Sequence, residues 1–189
     1  HGVTAKKLAN TEYHPTSYQS VYEALFGHEI NYEIQSNVYN NLGEANGELI
    51  GGNLSIVYSL LGSESAITNP SDKILFLEDW FENWYAVDRI LMNLKRNGIL
   101  THVKGIILGN FTHMDTEEEN ADNYNHPFDP KTYEVVHSFT KKLNIPVAFG
   151  FPAGHTGHNV ALKMGAKVQL NVTSNNVTLH HYTNKYETR

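Results

Sequence analysis

The sequence contains no cysteine, which excludes disulfides, thiolate metal sites and cysteine nucleophiles together. Long apolar runs are also missing. Stretches such as Ile74 to Leu77 are far too short to cross a bilayer as a helix. Basic residues are in the minority, 14 Lys and Arg against 20 Asp and Glu, for a formal charge of −6. A nucleic-acid surface, which needs a basic face to neutralise phosphates, is therefore not expected. No basic, apolar, small-residue leader opens the chain. His1-Gly2-Val3 reads as a chain entered midway, so any leader would lie on a preceding segment. What is present is ordinary for a globular protein: 189 residues, 40% apolar and 18% charged. That is enough for one domain, residues 1–189, with a real core.

Residues 1–15 are polar and irregular, as expected of a linker remnant. Tyr18, Val21, Tyr22, Leu25 and Phe26 recur at helical spacing, and Gly27 follows as a stop signal. Ile30 to Ile34 alternates like a half-exposed strand. Glu48-Leu49-Ile50 runs into Gly51-Gly52-Asn53, with Asn53 placed to cap a helix carrying Leu54, Val57, Tyr58 and Leu61. Lys73 to Asp79 holds an unbroken apolar run, the mark of a strand covered on both faces. Trp84, Val87, Ile90, Leu91 and Leu94 trace one helix face, with Lys95 and Arg96 in the last turn, where cations suit the helix dipole. Val103 to Leu108 is a second buried strand. Thr112 to Pro130 is an acidic surface loop. Tyr133, Val136, Phe139 and Leu143 restore helical spacing, and Ile145 to Phe151 is a further strand. Val168, Leu170 and Val172, then Val177, Leu179 and His181, alternate about a Ser174-Asn175-Asn176 turn, which predicts a C-terminal antiparallel hairpin. Strands alternating with helices give an α/β fold, a mostly parallel sheet flanked by helices.

Ligands of open α/β sheets gather beyond the carboxyl ends of the parallel strands. Glu78 follows Ile74–Leu77, and His155 follows the strand ending near Phe151, beyond Pro152-Ala153-Gly154. A carboxylate and an imidazole at one sheet edge are two-thirds of a hydrolytic triad. By pattern alone the plainer alternative also stands, in which Glu78 is an acid at a helix start and His155 a loop histidine.

Four segments, taken in order, resemble a known family. Gly47-Glu48-Leu49-Ile50-Gly51-Gly52-Asn53-Leu54-Ser55 is similar to the glycine-rich opening of the C-terminal domain of the LD-carboxypeptidases and the related microcin-immunity peptidases. Ile74-Leu75-Phe76-Leu77-Glu78-Asp79, with Glu82, Tyr85 and Val87-Asp88-Arg89, resembles their glutamate-bearing strand and next helix. Gly105-Ile106-Ile107-Leu108-Gly109-Asn110-Phe111 resembles the following strand, and Gly150-Phe151-Pro152-Ala153-Gly154-His155 the histidine loop. The resemblance implies a swivelling β/β/α domain with a small second sheet, and a Ser-Glu-His triad whose glutamate and histidine are Glu78 and His155. It further implies hydrolysis of the L,D-amide bond of murein tetrapeptides with release of D-alanine in peptidoglycan recycling, in the bacterial cytoplasm and without a cofactor. A homodimer is compatible with it.

The departure is the nucleophile. The family's serine lies in an N-terminal domain, and no Gly-x-Ser-x-Gly elbow occurs here. The chain is therefore expected to lack that N-terminal nucleophile domain, to be inactive alone, and to have that domain and the murein peptide as its partners. Alternatives are a microcin-immunity-type peptidase cleaving a peptidyl- or aminoacyl-nucleotide, and a non-catalytic peptide- or partner-binding domain. Ser138-Phe139-Thr140-Lys141 fits Ser-x-x-Lys, but Ser138 falls inside a predicted helix without the companion motifs. His155 and His158, or His180 and His181, make no obvious metal site. Gly51-Gly52-Asn53 before a helix could hold an anion, although a tight turn is the default. Asp115 to Glu119 lacks the spacing of a calcium loop. Asn53, Trp80, Phe81 and Glu82 are candidate walls of a substrate pocket, with core packing the default for Trp80 and Phe81.

Overall fold

The unbroken apolar run Ile74–Leu77 sits at the centre of the fold, where every side chain of the run is buried. The computed structural model describes residues 1–5, 14–114 and 129–182. In chain order it contains α1 (Pro15–Leu25), β1 (Ile30–Gln35), β2 (Gly43–Asn53) and α2 (Leu54–Ser59). A 3₁₀ turn (Pro70–Asp72), β3 (Lys73–Trp80), α3 (Trp84–Arg96), α4 (Ile99–His102) and β4 (Gly105–Thr112) follow. The order ends with α5 (Pro130–Thr140), β5 (Val147–Phe149), β6 (Lys167–Val172) and β7 (Asn176–His181). Among the described residues no helix is long and apolar enough to cross a membrane.

The strands form one seven-stranded sheet in the order β1-β7-β6-β2-β3-β4-β5. From β2 to β5 the neighbours are parallel. The hairpin β6–β7 joins antiparallel to β2, and β1 closes that edge antiparallel to β7. The small second sheet expected from the resemblance is thus continuous with the first, because β2 is long enough to pair β6 through Gly43–Glu48 and β3 through Glu48–Asn53. The sequence pattern gives no strand at Gly43–Gly47. Glycine is a poor strand former, yet a Cβ at Gly47 would come within 2.8 Å of the Asp72 carbonyl oxygen. Close backbone approach, not propensity, selects glycine there.

Side chains alternate between two cores. Leu75, Leu77, Ile106, Leu108, Val147 and Phe149 face α2 to α5. Ile74, Phe76, Ile107 and Ala148 face the other way, toward Phe151, Ala153, Val160 and Leu162 of the irregular segment 150–166. One face is therefore covered by helices and the other largely by coil. The coil is held by side chains of α1: Ser17 Oγ accepts from Asn159 N at 2.9 Å, and Ser20 Oγ accepts from Ala161 N at 2.9 Å. His1, in the segment expected to be linker, adds to this face. The His1 ring lies edge-on to Phe76, with centroids 5.0 Å apart.

Element ends follow local chemistry. α1 stops before Gly27 at φ 73°, and α3 before Gly98 at φ 77°. Asn53 caps α2 by accepting from Ile56 N at 3.1 Å, and Asp129 caps α5 by accepting from Thr132 N at 2.7 Å. The predicted strand Ile145–Phe151 shortens to Val147–Phe149, because the backbone beyond it leaves the sheet for the coil face. The second buried strand runs past Leu108 to Thr112. Most of the expected acidic loop, including Asp115–Glu119, lies outside the described residues.

Candidate active site

The carboxyl end of β3 carries two consecutive acids, and the alternation of a strand sends them to opposite faces. Glu78 follows Phe76 onto the coil-covered face and is 1% exposed; Asp79 turns to the helix-covered face and is 2% exposed. At this level the pairing with β4 shifts: Leu77 faces Leu108 and Asp79 faces Phe111, so Gly109 and Asn110 together stand opposite Glu78. Such a bulge re-aims side chains at a sheet end. It lets Asn110 N donate to the Ala153 carbonyl at 2.9 Å, pinning the histidine loop to the strand.

Two absent side chains make room for that loop. A Cβ on Gly109 would stand 2.2 Å from the Ala153 carbonyl oxygen. One on Gly154, which lies at φ 140°, would stand 3.1 Å from Glu78 Oε2. Gly154 N donates to Asn159 Oδ1 at 3.1 Å, and Thr156 Oγ1 donates to Asn110 Oδ1 at 2.9 Å. The loop is thus fixed on both sides of His155, whose Nδ1 lies 2.8 Å from Glu78 Oε2. An ionised carboxylate only accepts, so Nδ1 carries the hydrogen and Nε2 keeps its lone pair. The ring's side chain is 41% exposed while its carboxylate partner is 1% exposed, which is the disposition of a base that must meet something from outside. The other Glu78 oxygen, Oε1, is buried with no hydrogen-bond partner.

Trp80 stacks beside the imidazole, with centroids 5.8 Å apart and planes at 18°. It is 46% exposed and Phe81 41% exposed, so neither takes the core role that is the default for such residues. Both stand at the sheet edge because β3 ends there. Phe81 turns at φ 61°, held by donation from its N to the Thr112 carbonyl at 3.0 Å. A bulky residue in the left-handed region is strained.

The remaining candidates group on the helix side. Asn53, in register with Glu78, donates through Nδ2 to Asp79 Oδ1 at 2.7 Å. Ser55 N and Oγ approach Asp79 Oδ2 at 3.1 and 2.7 Å, and Trp80 N donates to Oδ1 at 2.8 Å. Burial raises the Asp79 pKa above the ordinary value, against the pull of these bonds. Glu82 Oε2 lies 3.2 Å from Ser55 Oγ, so Glu82 joins this cluster and not the imidazole. Gly51-Gly52-Asn53, expected to be a tight turn, instead ends strand β2 in register with Phe76–Glu78, because close approach to the Phe76 carbonyl leaves no room for a side chain at Gly51. The helix start beyond it already has a carboxylate, that of Asp79. Asp79, Ser55, Asn110, Thr156 and Asn159 were not singled out from sequence as site residues. For Asp79 a signal existed, since two adjacent acids ending a buried strand cannot share one partner.

Other residues fall away from the site. Ser138 is exposed on α5 and its hydroxyl donates to the Val135 carbonyl at 2.7 Å. His158 turns to Thr16, with Nε2 2.8 Å from Oγ1; burial and then nearby His14 lower its pKa. Trp84 packs on the helix-side core and donates from Nε1 to Asp129 Oδ1 at 3.1 Å. Arg89 lies over the Tyr85 ring at 5.5 Å. Among the described residues no group of three or more His, Asp or Glu could hold a metal.

Known proteins are similar to this chain in sequence and fold. The family model for the LD-carboxypeptidase C-terminal domain matches residues 46–170. A probable murein peptide carboxypeptidase of Bacillus subtilis is 34% identical over 130 residues, 68% of this chain and 38% of that protein. The microcin C7 self-immunity protein MccF of Escherichia coli is 30% identical over 137 residues, 72% of this chain and 37% of that protein. Among solved structures, a muramoyltetrapeptide carboxypeptidase from Oxalobacter formigenes aligns with a TM-score of 0.73 at 27% identity, covering 89% of this chain and 55% of that one. The chain thus spans well under half the length of these curated relatives. By the matched segment, its sequence and its fold, it belongs to the LD-carboxypeptidase family.

Proposed function

We propose that this chain supplies the glutamate and histidine of a Ser-Glu-His relay that hydrolyses L,D-amide bonds of murein tetrapeptides, the serine coming from an N-terminal domain. The observation that carries this is the 2.8 Å contact between buried Glu78 and half-exposed His155. The names of the Bacillus and Oxalobacter relatives support the substrate class. In the reaction, His155 Nε2 takes the serine proton as Oγ attacks the carbonyl, and the Glu78 carboxylate stabilises the imidazolium. The imidazolium then protonates the leaving amine of D-alanine. Water, deprotonated by the same nitrogen, hydrolyses the acyl-serine and returns the proton to Oγ.

A second reading, an aminoacyl-nucleotide substrate, draws on the exposed Trp80 and Phe81, since flat aromatic faces at a site mouth stack on bases. The test is release of D-alanine from an L,D-tetrapeptide, set beside cleavage of an aminoacyl-nucleotide conjugate. This chain alone should release nothing, because it brings no activated nucleophile. The native gene product with a serine-bearing domain should turn over the tetrapeptide. Turnover by this chain alone, or none by the native gene product with a serine-bearing domain, overturns the proposal; preference for the conjugate selects the second reading.

A further inference from the structure

We infer that Asp79 is a positioning residue: it sets the orientation of Asn53 and Trp80 at the mouth of the site, while Glu78 on the opposite face serves the imidazole. The inference rests on the peptidase reading above and adds to it a residue that the relay does not use. Asp79 is fully inside the protein, yet it gathers donors from three residues at the sheet edge: Asn53 Nδ2, Ser55 N and Oγ, and Trp80 N. A carboxylate can only accept. It therefore compels the Asn53 amide to present its NH₂ side inward, while Oδ1 accepts from Ile56 N at 3.1 Å. Both ends of the amide are thereby assigned, and these bonds leave one amide N–H uncommitted. That N–H is a donor at the register level of Glu78, suited to a carbonyl or carboxylate of the substrate.

The same carboxylate holds the Trp80 backbone, and the Trp80 ring stacks beside His155. Ser55 has one hydroxyl proton and two acid neighbours, Asp79 Oδ2 at 2.7 Å and Glu82 Oε2 at 3.2 Å. With one proton to give, it bonds the nearer, Asp79. An amide at position 79 has one accepting oxygen in place of two, so Asn53 Nδ2 or the Ser55 donors would lose their partner, and Asn53 would be held only by the bond from Ile56 N.

The test uses the native gene product and an L,D-linked tetrapeptide ending in D-alanine. Asp79→Asn should raise KM about tenfold with kcat within about threefold, the signature of lost binding and not of lost chemistry. Its kcat pH profile should stay in place. Asn53→Ala should give a similar KM, and the double variant should be no worse than the worse single, because both act through one contact. If Asp79→Asn does not fold, Ser55→Ala removes one donor and should raise KM about two- to threefold. A fall in kcat at constant KM, or unchanged kinetics with only a lower Tm, overturns the inference. Glu78→Gln run in parallel separates the two claims. Its loss of turnover beside an unmoved KM for Asp79→Asn rejects the positioning role alone. Retained turnover in Glu78→Gln rejects the relay, and the KM of Asp79→Asn still decides the role of Asp79.

Discussion

The two faces of the sheet meet at one edge and treat adjacent acids in opposite ways. On the helix-covered face Asp79 has both oxygens bonded, to a helix-start N–H, a strand N–H, a hydroxyl and an amide. On the coil-covered face Glu78 has one bond, to a half-exposed ring, and one oxygen with no partner. Buried polar groups are normally satisfied, so an under-bonded one calls for an explanation, and for Glu78 the neighbouring exposed imidazole offers one. A saturated carboxylate builds structure; an under-satisfied one beside an exposed imidazole is available for chemistry.

The sharpest way to break this contrast is to remove each member of the Glu78–His155 pair in the complete protein. His155→Ala should lower kcat by orders of magnitude with substrate binding nearly unchanged. Glu78→Gln should cost about 10⁴-fold, since the shape stays but the charge supporting the imidazolium is lost. The double variant should be little worse than the worse single. Multiplying losses would mean that the two residues do not act as one relay.

The coil-covered face also depends on side chains it does not have. Gly109→Ala places a methyl 2.2 Å from the Ala153 carbonyl oxygen, so the histidine loop must move off the strand. The expected cost is roughly 1–3 kcal/mol of stability and, through displacement of His155, about 10²-fold in kcat/KM. Gly165→Ala is the comparison: its φ of 80° is strained but its surroundings are open. It should lose about 1–2 kcal/mol and keep its turnover. Equal activity in the two variants would show that loop placement is not what Gly109 secures.

How much of this was legible depends on how far the determining contacts reach. The buried run of β3 and the periodic face of α3 are local patterns, and both elements lie where those patterns put them. β2 was illegible at Gly43–Gly47, because Gly47 is chosen by the neighbouring backbone, Gly43 lies at φ 146°, and neither carries an apolar signal. The bulge opposite Glu78 arises only when two strands are paired. Glu78 and His155 are 77 residues apart, so residue pattern offered them only as two polar groups at strand ends. The order of four family-like segments is what joined them. Asp79 was passed over because its partners Asn53 and Ser55 come from the preceding helix start, 26 and 24 residues away.

The smallest effect on turnover, none near neutral pH, is expected from a second histidine on the coil-covered face. His181 ends β7 opposite Ile30 and Val168, is 1% exposed, and has neither ring nitrogen partnered. It is the reverse of His155, buried where His155 is open and unpartnered where His155 is bonded. Burial, then the charges of Lys163, His180 and the chain's amine, lower its pKa from 6.5 to about 4. A lowered histidine pKa means that the unfolded state binds the proton first. The stability it represents is complete above about pH 6.5 and is lost as pH falls toward 4, by up to roughly 3 kcal/mol. His181→Leu removes both the proton site and the two unbonded nitrogens. Its neutral-pH stability should match or exceed the parent, and denaturant unfolding between pH 7 and 4 should show a flatter decline. A residual slope is expected from His158, whose pKa is also lowered, and from carboxylates, so the quantity that matters is the difference between variant and parent. If that difference stays constant across the range, His181 is not held neutral by its burial.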